Sequence, residues 1–252
     1  MTVPKATIAC LVLSSTVAQA NEVFSSAQVT FLFDPDPKGP DWTEVRDTAL
    51  NNLESKLAHM RYAAQAAEAY PGKVVAIFRH GPGRTPVEDA YSSLYEKALV
   101  LPGFATTRWT TGKDSNGRWV QGQNIWMLAH ELGHYFGLPH TFPDAGLSTN
   151  LNASLFISMN GGDIDAVDGD FIPDTPPDPG WDYYIGRGWD PCKGPESFTI
   201  SETFRGRPVS WELSPDRHNV MSYFGCEPVQ MTPMQAQVVQ ARMEKRGFAP
   251  ID

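Results

Sequence analysis

No apolar stretch in this sequence is long enough to span a bilayer, so no transmembrane helix is expected. Basic runs are missing as well: 20 Lys and Arg stand against 29 Asp and Glu, a formal net charge of −9. Without a cluster of cations there is no electrostatic footprint for nucleic acid. The acidic balance keeps the chain soluble and at most mildly favours basic substrates. No internal repeat is present. Cysteine is scarce, with 3 residues, and so is histidine, with 6. What remains is ordinary for a globular protein, 41% hydrophobic and 19% charged over 252 residues. That is enough for one large domain or two small lobes around a sizeable core.

Three of the scarce histidines fall in one short run, His130-Glu131-Leu132-Gly133-His134-Tyr135-Phe136-Gly137-Leu138-Pro139-His140. Residues four apart share a helix face, so His130 and His134 can aim two ring nitrogens at one ion. Glu131 is off that axis, which suits a base acting on water at the metal better than a ligand. Gly137 can take the left-handed conformation that ends a helix, and Leu138-Pro139 discourages its continuation. The chain can then turn and bring in His140 as a third ligand, leaving a fourth position to water. This set of donors suits catalytic zinc. The competing reading is a helix with core histidines; a bare His-Glu-x-x-His would leave that reading much stronger.

The N-terminus reads in two ways. Lys5, the apolar residues 6–17 and Ala18-Gln19-Ala20 fit a signal peptide over 1–20. Alternatively, Ile8, Leu11, Val12, Val17, Ala20, Val23 and Phe24 form a loose helical stripe feeding a strand-like segment at 29–33. Asp41 and Glu44 read as a capping box opening a helix that runs to about Ala69. Residues 73–79 are a continuous apolar run suited to a central strand. Residues 80–102 read as a Gly/Pro-punctuated insertion with a short helical stretch near 91–99. Alternation over 103–109 suggests an edge strand, Asn116-Gly117 a turn, and 126–137 the helix carrying the histidine run. Residues 143–215 turn loop-rich. Asp163, Asp165, Asp168, Asp170 and Asp174 crowd together there, and hard oxygen donors at that density suit calcium, although the spacing is not that of an EF-hand. The other reading is a solvated acidic loop. Thr232-Pro233-Met234-Gln235 is a helix start with a capping box, and the helix should end before Gly247. His59, His80 and His218 are read as structural.

The histidine run resembles that of the metzincin zinc endopeptidases. Downstream, Asn219-Val220-Met221-Ser222-Tyr223 resembles their Met-turn. Alone Met221 reads equally as core; its place after the third histidine and before a final helix gives it weight. Within the metzincins the chain is most similar to the pappalysins, through His140-Thr141-Phe142, Gly169-Asp170-Phe171-Ile172-Pro173-Asp174-Thr175-Pro176, and Cys226 followed by Met231-Thr232-Pro233. The likeness covers about residue 126 onward. It implies an α+β, metzincin-like zincin: a single catalytic domain, 1–252, with a twisted mixed sheet and the active-site helix in an N-terminal lobe of about 1–140. An irregular lobe of about 141–252 ends in a C-terminal helix.

The resemblance also implies a Cys192–Cys226 disulfide and hence an oxidising, extracellular setting. It supports calcium at Asp168, Asp170 and Asp174, makes Met221 a floor without proton chemistry, and gives Tyr223 a hydrogen bond to the developing oxyanion. The edge at 103–109 would pair with an extended substrate. Cys10 is open between removal with a leader, burial, and a thiolate that blocks zinc. The expected function is zinc-dependent hydrolysis of peptide bonds in proteins, with Glu131 as general base. The alternatives are a zinc-containing peptide-binding scaffold that does not cut, or a hydrolase of a non-protein amide.

Overall fold

The computed structural model describes residues 5–34, 36, 39, 56–79, 91–93, 98–102, 112–113, 119–120, 126–143, 153, 157–204 and 206–248. It is a mixed α+β protein. Contacts divide the chain into two compact units. One holds Met1–Thr110, Gln123–Gly137 and Val238–Asp252; the other holds Thr111–Gly122 and Leu138–Gln237.

In the first unit, α1 runs over Lys5–Phe24. Thr16, Ala20, Val23 and Phe24 are buried on its later turns, at the three- and four-residue spacing of one helix face. A short 3-10 turn, Ser25–Ala27, follows. The strand expected at 29–33 does not form: residues 29–34 join no ladder. The reason is local. The Asn21 side-chain amide donates to the Phe31 carbonyl at 3.1 Å and accepts from the Phe31 N–H at 2.7 Å. Both backbone groups that a neighbouring strand would have used are thereby satisfied.

Helix α2 is Lys56–Glu68, and His59 lies on it. The proposed cap at Asp41 and Glu44, His80 and the edge at 103–109 lie outside the described residues. Three strands, β1 (Val75–Arg79), β2 (Tyr91–Ser93) and β3 (Ala98–Pro102), form a mixed sheet in the order β1-β3-β2. Here the expectation of a helical stretch near 91–99 is overturned. Tyr91 pairs with Val100 antiparallel, and Val75 pairs with Ala98 parallel. Among the described strands β3, not β1, is central. Ala98, Leu99, Val100 and Leu101 are at most 1% exposed, as expected for a strand covered on both faces.

Helix α3 is Trp126–Tyr135. Its end is fixed by Gly137, whose φ of 95° is accessible at little cost only to glycine, and by the Gly137 N–H donating to the His134 carbonyl at 2.9 Å. Phe136 then enters an aromatic cluster with Phe24, Phe31 and Phe248. That cluster anchors the end of α3 to α1.

In the second unit, β4 (Gly112–Lys113) pairs antiparallel with β5 (Trp119–Val120), on either side of the expected turn. The described part of segment 143–215 is more regular than its composition suggested. It contains a 3-10 turn (Ile164–Val167), a short helix α4 (Trp181–Gly186) and a hairpin of β6 (Phe198–Phe204) with β7 (Arg207–Leu213). Ile200 and Leu213 of the hairpin are buried with Tyr183, Tyr184 and Phe224. Cys192 and Cys226 are disulfide-bonded. Arg217 holds the neighbouring loop, donating to the carbonyls of Pro191 and Gly194.

Helix α5, Pro233–Arg246, starts with the expected reciprocal capping box. The Gln235 N–H donates to Thr232 Oγ1 at 3.2 Å, and the Thr232 N–H donates to Gln235 Oε1 at 3.0 Å. Gly247 ends it with a φ of 75°. No helix among the described residues is long and apolar enough to cross a membrane.

Candidate metal centre

The helix-then-turn geometry brings His130, His134 and His140 together: one ring nitrogen from each lies within 4.8 Å of the others. Nitrogens bound to one tetrahedral zinc sit about 3.4 Å apart, so small side-chain adjustments suffice. Among the described residues this is the sole group of three or more His, Cys, Asp or Glu side chains so gathered. The rings of His130 and His134 meet edge-on, 4.7 Å between centroids, as side chains one turn apart do. All three histidines are half-buried, and Glu131 is 4% exposed. The donor set fits a divalent metal ion of the zinc type: three imidazoles, no cysteine, and a carboxylate next to the first ligand.

His140 is held by its surroundings. Phe142 stacks on its ring at 4.6 Å and 10°, and Tyr223 meets it edge-on at 4.8 Å. Tyr223 is itself 37% exposed. The Thr141 N–H reaches the Met221 carbonyl at 3.4 Å, tying this segment to the 219–223 turn. Met221 is fully buried, and its N–H donates to Asn219 Oδ1 at 2.9 Å. Asn219 is locked in turn: its Nδ2 donates to Gln235 Oε1, and Gln235 Nε2 donates back to Asn219 Oδ1 and on to Asp170 Oδ2. A buried amide pair thus joins the start of α5 to the turn.

Two supports of His140 escaped the sequence reading as site residues. Gly169 lies flat against the segment: its N–H donates to the Thr141 carbonyl, and a Cβ there would fall 2.2 Å from the Phe142 oxygen and 2.6 Å from the His140 oxygen. Asp178 is 1% exposed. Its Oδ2 accepts from the Thr141 hydroxyl at 2.8 Å and its Oδ1 from the Gly180 N–H at 2.7 Å. Burial pushes the Asp178 carboxyl up to about 6, against the lowering effect of those two hydrogen bonds. Its only sequence signal is an acid within a Pro/Gly-rich turn.

The carboxylates considered for calcium accept hydrogen bonds from nearby backbone and side-chain groups. Asp168 Oδ1 accepts the N–H groups of Asp170 and Phe171. Asp170, buried and with its carboxyl raised chiefly by desolvation, accepts from the Ile172 N–H and the Thr175 hydroxyl. Asp174 caps α5, accepting from the Thr232 hydroxyl and the Met234 N–H. Asp163 caps the 3-10 turn through the Asp165 N–H. These carboxylates do not form a gathered group of the kind the histidines do. Outside the motif, His218 Nδ1 lies 2.9 Å from the Cys226 carbonyl, a structural bond beside the disulfide. Comparison with protein-family models, curated proteins and solved structures gives no match.

Proposed function

We propose that this chain is a zinc-dependent endopeptidase of the metzincin kind, most similar to the pappalysins, that hydrolyses peptide bonds in proteins. The observation that carries the reading is the convergence of His130, His134 and His140, with Glu131 buried immediately after the first of them. His130, His134 and His140 would hold the zinc, which would supply Lewis acidity and make a water at the site more acidic. Glu131 takes the proton from the attacking water and returns it to the leaving amine. Tyr223, exposed beside His140, offers its hydroxyl to the substrate carbonyl oxygen as charge develops there. Met221 carries no proton chemistry; through its backbone it fixes the position of Thr141.

The substrate in this reading is an extended peptide. The Cys192–Cys226 bond supports secretion, because such bonds persist in oxidising compartments. Calcium gains no support from the internally bonded Asp168, Asp170 and Asp174.

The test is zinc content together with cleavage of casein. Wild type should carry one zinc per chain and cut, and a chelator should stop it. Glu131→Gln should retain the zinc and lose about 10²–10⁴-fold in turnover. Near-normal activity in that variant, or a wild type without zinc, would sink the reading. Zinc without turnover in the wild type would favour a peptide-binding scaffold.

A further inference from the structure

Phe171 stands out among the described residues. Its side chain is 79% exposed, and its backbone is left-handed, with φ at 55°. Gln28 is the only other described non-glycine residue with positive φ. A left-handed backbone is costly for a bulky L-residue, and a ring this exposed recovers little of that cost by burial. The surrounding structure nevertheless enforces the conformation. Asp168 Oδ1 accepts the N–H groups of Asp170 and Phe171, at 3.1 and 2.9 Å, and Asp170 Oδ1 accepts the Ile172 N–H at 2.9 Å. The Thr175 hydroxyl, 2.6 Å from both Asp170 Oδ1 and the Ile172 carbonyl, closes the far side. The acidic run is thus a pedestal that holds one aromatic ring out into solvent.

The pedestal is fixed to the segment carrying the third histidine. Gly169 packs on the backbone of residues 140–142, with a Cβ position 2.6 Å from the His140 oxygen. Phe171 is two residues farther along, which keeps its Cα within about 12 Å of that oxygen. The His140 side chain and a metal held by it would add up to about 9 Å between that oxygen and the bond that is cut. An extended peptide advances about 3.3 Å per residue, so the whole span corresponds to at most about six substrate residues.

We infer that Phe171 is a specificity-determining residue, contacting a large apolar side chain of the substrate within about six residues of the bond that is cut. This rests on the endopeptidase reading above. A strained, displayed aromatic is the pattern expected of a contact residue rather than of a packing residue.

The test compares wild type with Phe171→Gly, a substitution that relieves the backbone strain, and Phe171→Leu, which keeps an apolar side chain. The probes are fluorescent tetradecapeptides with Ala, Glu, Leu or Phe placed in turn at the six positions on each side of one cleavage site. Phe171→Gly should melt no lower than wild type and keep its zinc. It should lose at least tenfold in kcat/KM, mainly through KM, on peptides bearing Leu or Phe at one of those positions, and change little on the Ala and Glu series. Phe171→Leu should restore most of the preference.

The same peptides are titrated by fluorescence anisotropy against Glu131→Gln with and without Phe171→Gly, so that binding is read without turnover. An inactive wild type whose binding still weakens with Phe171→Gly would overturn the endopeptidase reading and keep Phe171 as a peptide contact. An unchanged preference in an active enzyme would overturn the inference and leave the endopeptidase reading standing. Absence of binding to any peptide would overturn the inference as well.

Discussion

Gly169 shows how much of a candidate metal centre can rest on a residue with no side chain. The space that a Cβ would need is filled by the backbone atoms of Phe142 and His140, which cannot rotate away. Gly169→Ala should therefore displace the third ligand, costing about 1–3 kcal/mol of stability and weakening zinc retention; calorimetry and zinc content check both. Asp178 acts on the same segment through Thr141. Its carboxyl rises from 3.8 unfolded to about 6 folded. A group whose pKa is raised on folding favours the native state fully below the unfolded value, and that contribution is lost as pH rises through the folded value. Urea unfolding of the zinc-free protein should thus show wild type losing stability relative to Asp178→Asn between about pH 4 and 6, by on the order of 3 kcal/mol. A constant difference across that window would show that Asp178 does not titrate as its burial implies.

At the scale of elements, α5 depends on caps from two places: Thr232 and Gln235 within its own first turn, and Asp174 far upstream. Thr232→Ala should cost about 1 kcal/mol, read as a lowered unfolding midpoint in urea at unchanged m-value. The capping box and the Gly137 and Gly247 stops were legible in the sequence because each is a contact within a few residues. The histidine run was legible for the same reason. Strand β3 was misread because Ala98–Pro102 becomes a strand through its parallel partner at Val75–Arg79, and pairing of that kind has no local signature. The β6–β7 hairpin was missed although Phe198, Ile200 and Trp211 show the alternation of half-buried strands. Segment 29–34 failed as a strand because one amide, Asn21, had already taken the backbone groups of Phe31. The acidic run drew attention through its charge density, yet its oxygens serve neighbouring N–H groups and a distant helix cap. Asp178, which bonds Thr141 beside the third histidine from 37 residues away, carried almost no signal.

For the whole molecule, the Cys192–Cys226 bond closes a span of 34 residues that includes the hairpin, Arg217 and the Met221 turn. On the loop-entropy model a closure of that length contributes about 4 kcal/mol. Replacing both cysteines by serine, or adding a reductant, should lower the thermal midpoint by a corresponding amount and loosen the turn at Asn219 before α1 or α3. Amide exchange resolved by segment would show that order, and uniform loosening would count against it. The buried pairing of Asn219 with Gln235 adds a consequence in time. Synthesis delivers the three histidines first, the turn at Asn219 later, and Gln235, which locks that turn, last of all. A nascent chain therefore displays its three clustered histidines well before it possesses the residue that holds the turn against Thr141. Any ion captured during that interval meets an unfinished centre, and the maturation of the site waits on a helix that carries none of its ligands.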